Sequence, residues 1–425
     1  MPPRTGEEVR VRRMSSAEAD RSPGGRRRRA LRIPASLLGR PRLRTAEEGG
    51  EERHASWLEL FFDLVFVLAI AELAHNLSGD LTPPGFVLFA ALSVPVWWAW
   101  AGYTFYADRF ETDDAFYRLA MFAAMLAIAA LALSVHDAFH GGSAAFAAAY
   151  VLVRVVLIGL YARARRHVPA ARELCGRYIV GFGVGASLWL ASLLVPEPIR
   201  YGFWAAGLAV ELATPLLSSR AIARTPYDTS HVPERFGLFT IIVLGECVLL
   251  VATGVSETSW RAASVFTAAI GFAMVASLWW VYFDFTETSA IRERRPWAGQ
   301  VYVYGHLLIV LGLTSVAVGI EHAILEVGEG PLGAGARWAL CGGIVLFLLS
   351  TTAIHVAARR GGNVLVPLGL AATATGLALA GGGLSPPVLE GLLLLLLVGK
   401  VILGTILGGD STVPATEDSE PTGAA

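Results

Sequence analysis

The sequence predicts an all-α fold, a polytopic integral membrane helix bundle of about twelve transmembrane helices, and three observations predict it. Hydrophobic residues make up 54% of the 425 and charged residues 16%, where a soluble domain carries about 25% charged. The mean hydropathy is +0.55. Apolar runs near the ~20 residues that cross a ~30 Å hydrocarbon core recur along the chain. The arginines, 33 of the 34 basic residues, alternate from connection to connection.

Residues 1–54 are rich in Arg, Glu, Gly, Ser and Pro and lack a sustained apolar run. They are expected to be a disordered cytoplasmic tail, retained because "PASLLG" is too short for a signal-peptide core. Its "RRRR" at 26–29 either contacts anionic lipid or fixes topology. The first transmembrane half is expected over 55–218, with runs at 57–77, 86–106, 115–135, 144–161, 178–195 and 201–218. The second half, 219–408, has runs at 236–254, 263–283, 300–321, 337–357, 363–380 and 387–407. Residues 409–425 form a second polar tail. Helices follow because backbone amides in lipid must be satisfied within the segment.

Orientation comes from arginine placement. With the N-terminus inside, the cytoplasmic connections hold fifteen arginines, from Arg109 and Arg118 to Arg359 and Arg360. The opposite connections hold three: Arg200, Arg261 and Arg337. This bias predicts both termini in the cytoplasm.

The first and seventh runs look alike, as "ELFFDLVFVLAIAE" (59–72) and "ERFGLFTIIVLGE" (234–246). "WWAWAGYTFYAD" from Trp97 likewise parallels "WWVYFDFTETSA" from Trp279. One reading is two parallel six-helix repeats with a substrate route between them. The other is chance likeness among aromatic-rich helices.

An ionised side chain at the bilayer centre costs from ~3 to more than 10 kcal/mol, so such residues face the bundle interior and find partners. Glu59 and Asp63 are four apart, about 40° around a helix, and share a face. Glu72 and His75 form a separate patch toward the outer end. Arg154, alone in "YVLVRVVLIGLY", is expected to pair with Asp63, Glu211 or Glu246. Asp284, His306, Glu321 and His322 are further buried candidates. Each is read either as an interhelical tie or as part of an ion or solute route, and the whole set favours the route. Trp97–Trp98 and Trp279–Trp280 read as an aromatic belt. Cys175, Cys247 and Cys341 are widely spaced and read as small core residues rather than disulfides or metal ligands. There is no P-loop, dinucleotide fingerprint, HExxH or GxSxG, which argues against an ATP-driven pump or hydrolase. No cofactor, metal or nucleic-acid partner is expected.

"ELFFDLVFVLAIAELAH" (59–75), "HVPERFGLFTIIVLGE" (231–246), "WWVYFD" (279–284) and "YGHLLIVLGLTSVAVGIE" (304–321) resemble the bacterial low temperature requirement protein A family. The resemblance covers nearly the whole membrane region and implies a multi-pass membrane protein, named for a cold-growth phenotype. The positions shared with its motifs are Glu59, Asp63, His75, Glu234, Arg235, Glu246, Asp284 and His306, while Glu72 departs from the pattern. The expectation is a secondary transporter or channel-like permease in the bilayer, handling a small cation or a proton-coupled solute. Asp63, Glu246 and Asp284 would be its binding carboxylates, His306 a proton relay, and Arg154 or Arg235 the counter-charges. The alternatives are a membrane-embedded enzyme acting on a lipid, and a non-catalytic protein for cold adaptation.

Overall fold

The first three helices begin where the sequence supplies a cap. In the computed structural model, which describes residues 39–43, 55–225, 231–286, 288, 291, 296–358 and 364–408, Ser56 opens α1 (Trp57–Gly79) with a capping box. Its hydroxyl accepts from the Glu59 amide, and the Glu59 carboxylate accepts from the Ser56 amide at 2.7 Å. Thr82 caps α2 (Pro83–Arg109), whose first-turn proline gives up an amide that has no helical partner anyway. Asp114 caps α3 (Ala115–Leu133) by accepting from the Tyr117 amide at 2.9 Å.

The first half continues through α4 (Ser143–His167), α5 (Arg172–Ser192) and α6 (Ile199–Leu217). A short helix, α7 (Ser219–Arg224), leads to the second half. There follow α8 (His231–Glu257), α9 (Ala262–Phe285), α10 (Pro296–Glu326), α11 (Ala334–Ala357), α12 (Leu365–Ala380) and α13 (Pro386–Gly408). Twelve of these helices, among the described residues, match the twelve apolar runs. Ten are long and apolar enough to cross a bilayer, and the other two are α1 and α6, which carry buried acids. Leu126, Leu152, Val180 and Ile406 are exposed on the outside of the bundle, as lipid-facing positions are.

Within the first half α1 packs on α2 and α3, α3 on α4, α4 on α5, and α5 on α6. The second half repeats four of these pairings, α8 on α9 and α10, α10 on α11, and α11 on α12. Its end differs, because α13 lies mainly against α9. The halves meet where α1 and α2 face α8 and α10.

Helix α10 is 31 residues long and forms the post of the second half. It crosses α11 with backbones almost touching: a Cβ built on Gly343 would lie 2.5 Å from the Gly312 carbonyl oxygen and 2.9 Å from the Val316 nitrogen. Small residues permit this approach, and dispersion across it holds the helices together in lipid. Gly343→Ala is therefore expected to push α10 from α11 and cost about 1–3 kcal/mol. A lower thermal midpoint in detergent would register it. Gly342→Ala is the control, since a Cβ there meets nothing within 4 Å.

One expectation changes at the N-terminus. Residues 39–43, inside the tail expected to be disordered, include strand β1 (Arg42–Leu43), paired antiparallel with β2 (Phe110–Glu111) just beyond α2. Arg163 of α4 donates to the Gly39 carbonyl and to Asp114, tying this strand to the ends of α3 and α4. The basic run at 26–29, the C-terminal tail and arginines 292, 294, 295, 359 and 360 lie outside the described residues. At the opposite face, the Ser143 hydroxyl donates to Glu197 and holds that carboxyl below its usual range.

Candidate functional site

The largest group of buried charges forms where the halves meet, and helical spacing assembles it. Glu59 and Asp63 are four apart on α1, and His231 and Arg235 are four apart on α8. The two pairs face each other. Arg235 Nη2 donates to Asp63 Oδ1 at 2.6 Å, and its Nη1 lies 3.6 Å from Glu59 Oε1. His231 Nε2 is 3.6 Å from Glu59 Oε2, and its Nδ1 is 3.1 Å from Asp108 Oδ1 of α2. Trp100, two turns before Asp108, donates its indole N–H to Asp63 Oδ1 at 2.8 Å. All six side chains are buried. Glu234, on another face of α8, is only half-buried and accepts from the Ala55 amide at 3.4 Å.

This cluster is incompletely satisfied. Asp63 Oδ2 and the Nε and Nη1 of Arg235 are buried without a hydrogen bond. A buried pair repays its desolvation only when the remaining lone pairs and protons find partners. Beside it Phe62 and Phe66 of α1, Trp100 of α2 and Phe239 of α8 form an aromatic layer, with Trp100 and Phe239 stacked at 4.3 Å.

The second cluster is more nearly satisfied, with Glu211 Oε1 its one oxygen lacking a hydrogen bond. Arg154 pairs with Glu211, one of its three expected partners, at 2.8 Å and wholly out of solvent. Tyr150 completes it, its hydroxyl donating to the same Glu211 oxygen at 2.7 Å while accepting from Arg154 Nε at 3.0 Å. The guanidinium lies over the Tyr150 and Phe182 rings at 4.8 and 5.4 Å. Gly185 leaves the room: a Cβ there would sit 2.4 Å from Glu211 Cγ.

The third group lies at the other end of α1 and is rich in acids. Ser78 donates to Glu321 at 2.8 Å, and His322 Nε2 is 3.1 Å from the Ser78 hydroxyl and 3.2 Å from the Ser78 carbonyl. A carbonyl only accepts, so this geometry assigns the proton to Nε2. His322 Nδ1 is 3.4 Å from Glu326. Glu246 is buried on α8, its Oε2 without a hydrogen bond.

Several expected site residues stand elsewhere. His75 is exposed and faces the ring of His136 at 6.4 Å. Asp284 is exposed near the end of α9 and joins none of the buried clusters, because its helical position turns it outward. His306 is buried but fully engaged. Its Nδ1 donates to the Tyr302 carbonyl at 2.7 Å, so its Nε2 accepts from the Tyr282 hydroxyl at 2.9 Å, bridging α9 and α10. Trp279 and Trp280 lie on the outer surface, whereas Trp97 and Trp98 are interior, 2% and 3% exposed, and belong to no belt. The three cysteines are buried and free.

Trp98 instead lines a cavity of about 180 Å³ between the halves. Its walls include Phe105 and Arg109 of α2, Tyr178 of α5, Pro215 of α6, and Gln300 and Tyr304 of α10. Trp98 and Tyr304 stack at 6.0 Å with their planes 15° apart. The carbonyl of Trp98 is 3.5 Å from Arg154 Nη1, so the Arg154–Glu211 ion pair lies directly behind the aromatic wall.

Sequence reasoning missed His231, Asp108, Trp100, Tyr150, Ser78 and Glu390. Of these His231 had a usable signal, its spacing of four from Arg235. Glu390 lies inside a run counted as apolar.

Residues 54–402 match the model of the bacterial low temperature requirement A protein. The uncharacterized protein RA0937 of Rhizobium meliloti (strain 1021) is 30% identical over 324 residues, covering 72% of this chain and 78% of that protein. This chain belongs to the bacterial low temperature requirement A family.

Proposed function

We propose that the protein is a secondary transporter, a permease that moves a small solute together with protons across the bacterial plasma membrane. The observation that carries this reading is the cavity between the two halves, at the same junction that holds the under-satisfied cluster of α1, α2 and α8. Parallel-repeat transporters carry substrate between their halves, and the pairings shared by the two halves support that architecture. At about 180 Å³ the cavity suits a solute smaller than the ligands that fill pockets of roughly 300–1,000 Å³. Buried acids on α1, α8 and α10 supply groups that can exchange a proton or cation, and the aromatic layer between them is the closed barrier of this conformation. Arginine placement supports an orientation with both termini in the cytoplasm.

The enzyme alternative is weaker. Ser78, His322 and Glu326 are the residue types of a hydrolase triad, but the proton on Nε2 leaves that nitrogen unable to accept one from Ser78. The non-catalytic reading draws support from the Arg154–Glu211–Tyr150 group, which ties α4 to α6.

The test is acidification of dye-loaded proteoliposomes as small solutes are added outside one at a time. Wild-type protein is expected to couple one of them to proton entry, and Asp63→Asn/Glu246→Gln to lose most of that flux while remaining folded. Flux equal to wild type in the double variant would remove the carboxylates from the mechanism.

A further inference from the structure

Glu390, five residues into α13, is fully buried, and both carboxyl oxygens lack a hydrogen-bond partner. It looks toward α9 and α10. A Cβ built on Gly271 of α9 would lie 3.5 Å from Glu390 Oε1 and 2.4 Å from Ile320 Cγ2 of α10. The bare glycine therefore opens the space into which the carboxyl points. Helix packing gains nothing from such a group, since a leucine would fill the position without burying polar atoms.

The surroundings restrict what Glu390 can bind. A metal ion needs several ligands, and among the described residues no group of three or more His, Cys, Asp or Glu side chains gathers here to supply them. No arginine, lysine or histidine pairs with it among the described residues. Helix α12 carries no titratable side chain. The titratable groups of α9, Tyr282 and Asp284, are at its far end, more than two turns beyond Gly271. Helix α10 brings Glu321 beside Ile320, and its His322 and Glu326 lie further toward the same end. Arg337 of α11 is turned to the Ala378 and Leu332 carbonyls. An ionised carboxylate here would be a bare charge in an apolar interface, whereas the neutral acid is far cheaper to bury.

The position is also reachable. Glu390 lies about 6 Å along the axis from the start of α13, and a small parting of α9, α10 and α13 would bring it to the membrane surface. We propose that Glu390 is a proton-carrying site of the permease: it holds a proton in this closed conformation and releases it when these three helices separate. The assignment rests on the transport reading and names its proton carrier. The proton stays on a carboxyl oxygen here and passes to water, or to Glu321, on opening.

Infrared spectra of the reconstituted full chain and of Glu390→Gln test it. The wild type should show a carbonyl band of a protonated carboxylic acid at neutral pH that the variant lacks, and the band should shift in D2O and vanish reversibly as pH rises. Glu390→Asp should keep a displaced band, which serves if the glutamine variant fails to fold. No band, or one that neither exchanges nor titrates, overturns the assignment. In the dye-loaded vesicles, Glu390→Gln should abolish solute-coupled acidification; unchanged coupling overturns the assignment alone. Absence of coupling in the wild type overturns the transport reading, and with it the carrier role, whatever the band does.

Discussion

Arg235→Ala is expected to destabilise the protein by about 3–5 kcal/mol, the cost of breaking a buried ion pair from one side. The loss exceeds that of one hydrogen bond because Asp63 and Glu59, 1% and 2% exposed, would be left as neighbouring acids without their guanidinium. Denaturant or thermal unfolding in detergent measures it. Arg235→Met combined with Asp63→Leu should recover much of the stability, since an apolar pair of similar volume carries no desolvation cost. In the transport reading that double variant folds and still fails to couple solute to protons. A variant both stable and active would reduce this pair to a helix tie.

Arg154→Ala is expected to cost a similar amount, about 3–5 kcal/mol, by a different distribution of losses. Glu211 would lose its counter-charge at zero exposure, and Tyr150 the donor that orients its hydroxyl. The space between the Tyr150 and Phe182 rings would empty as well, with loss of a cation–π contribution of about 2 kcal/mol for a desolvated pair. Arg154→Lys should recover only part, because an ammonium cannot serve Glu211, Tyr150 and the ring faces together. The group lies within the first half, so flux corrected for folded protein should hardly change. That separation of stability from flux distinguishes it from the Arg235 variants.

Much of the fold was legible because lipid imposes length and hydropathy on every crossing. Twelve runs in the sequence became twelve helices, even where α1 and α6 carry charges. Site residues were legible when they shared a helix face. Glu59 and Asp63 do meet one partner, and Arg154 does find Glu211. What failed was rotation about the helix axis. Asp284 and His75 turn outward and Trp97 and Trp98 inward, and only the packing of neighbouring helices decides that angle. Glu390 escaped notice because one acid barely alters the hydropathy of a leucine-rich run. Its burial depends on Gly271, 119 residues earlier in the sequence.

The length of α10 has a mechanical consequence. Its 31 residues span about 46 Å, against a hydrocarbon core of ~30 Å. The surplus is accommodated by leaning or by protruding into the headgroups. Its crossing with α11, at Gly312 and Gly343, lies near the midpoint of its length. Close approaches to α11 continue on either side, at Gly305 and Gly319, so the two helices lean as one body when bilayer thickness changes. One end carries Gln300 and Tyr304 of the cavity, and the other Glu321 and His322. A change in their lean would therefore displace the cavity wall and the acid-rich end together.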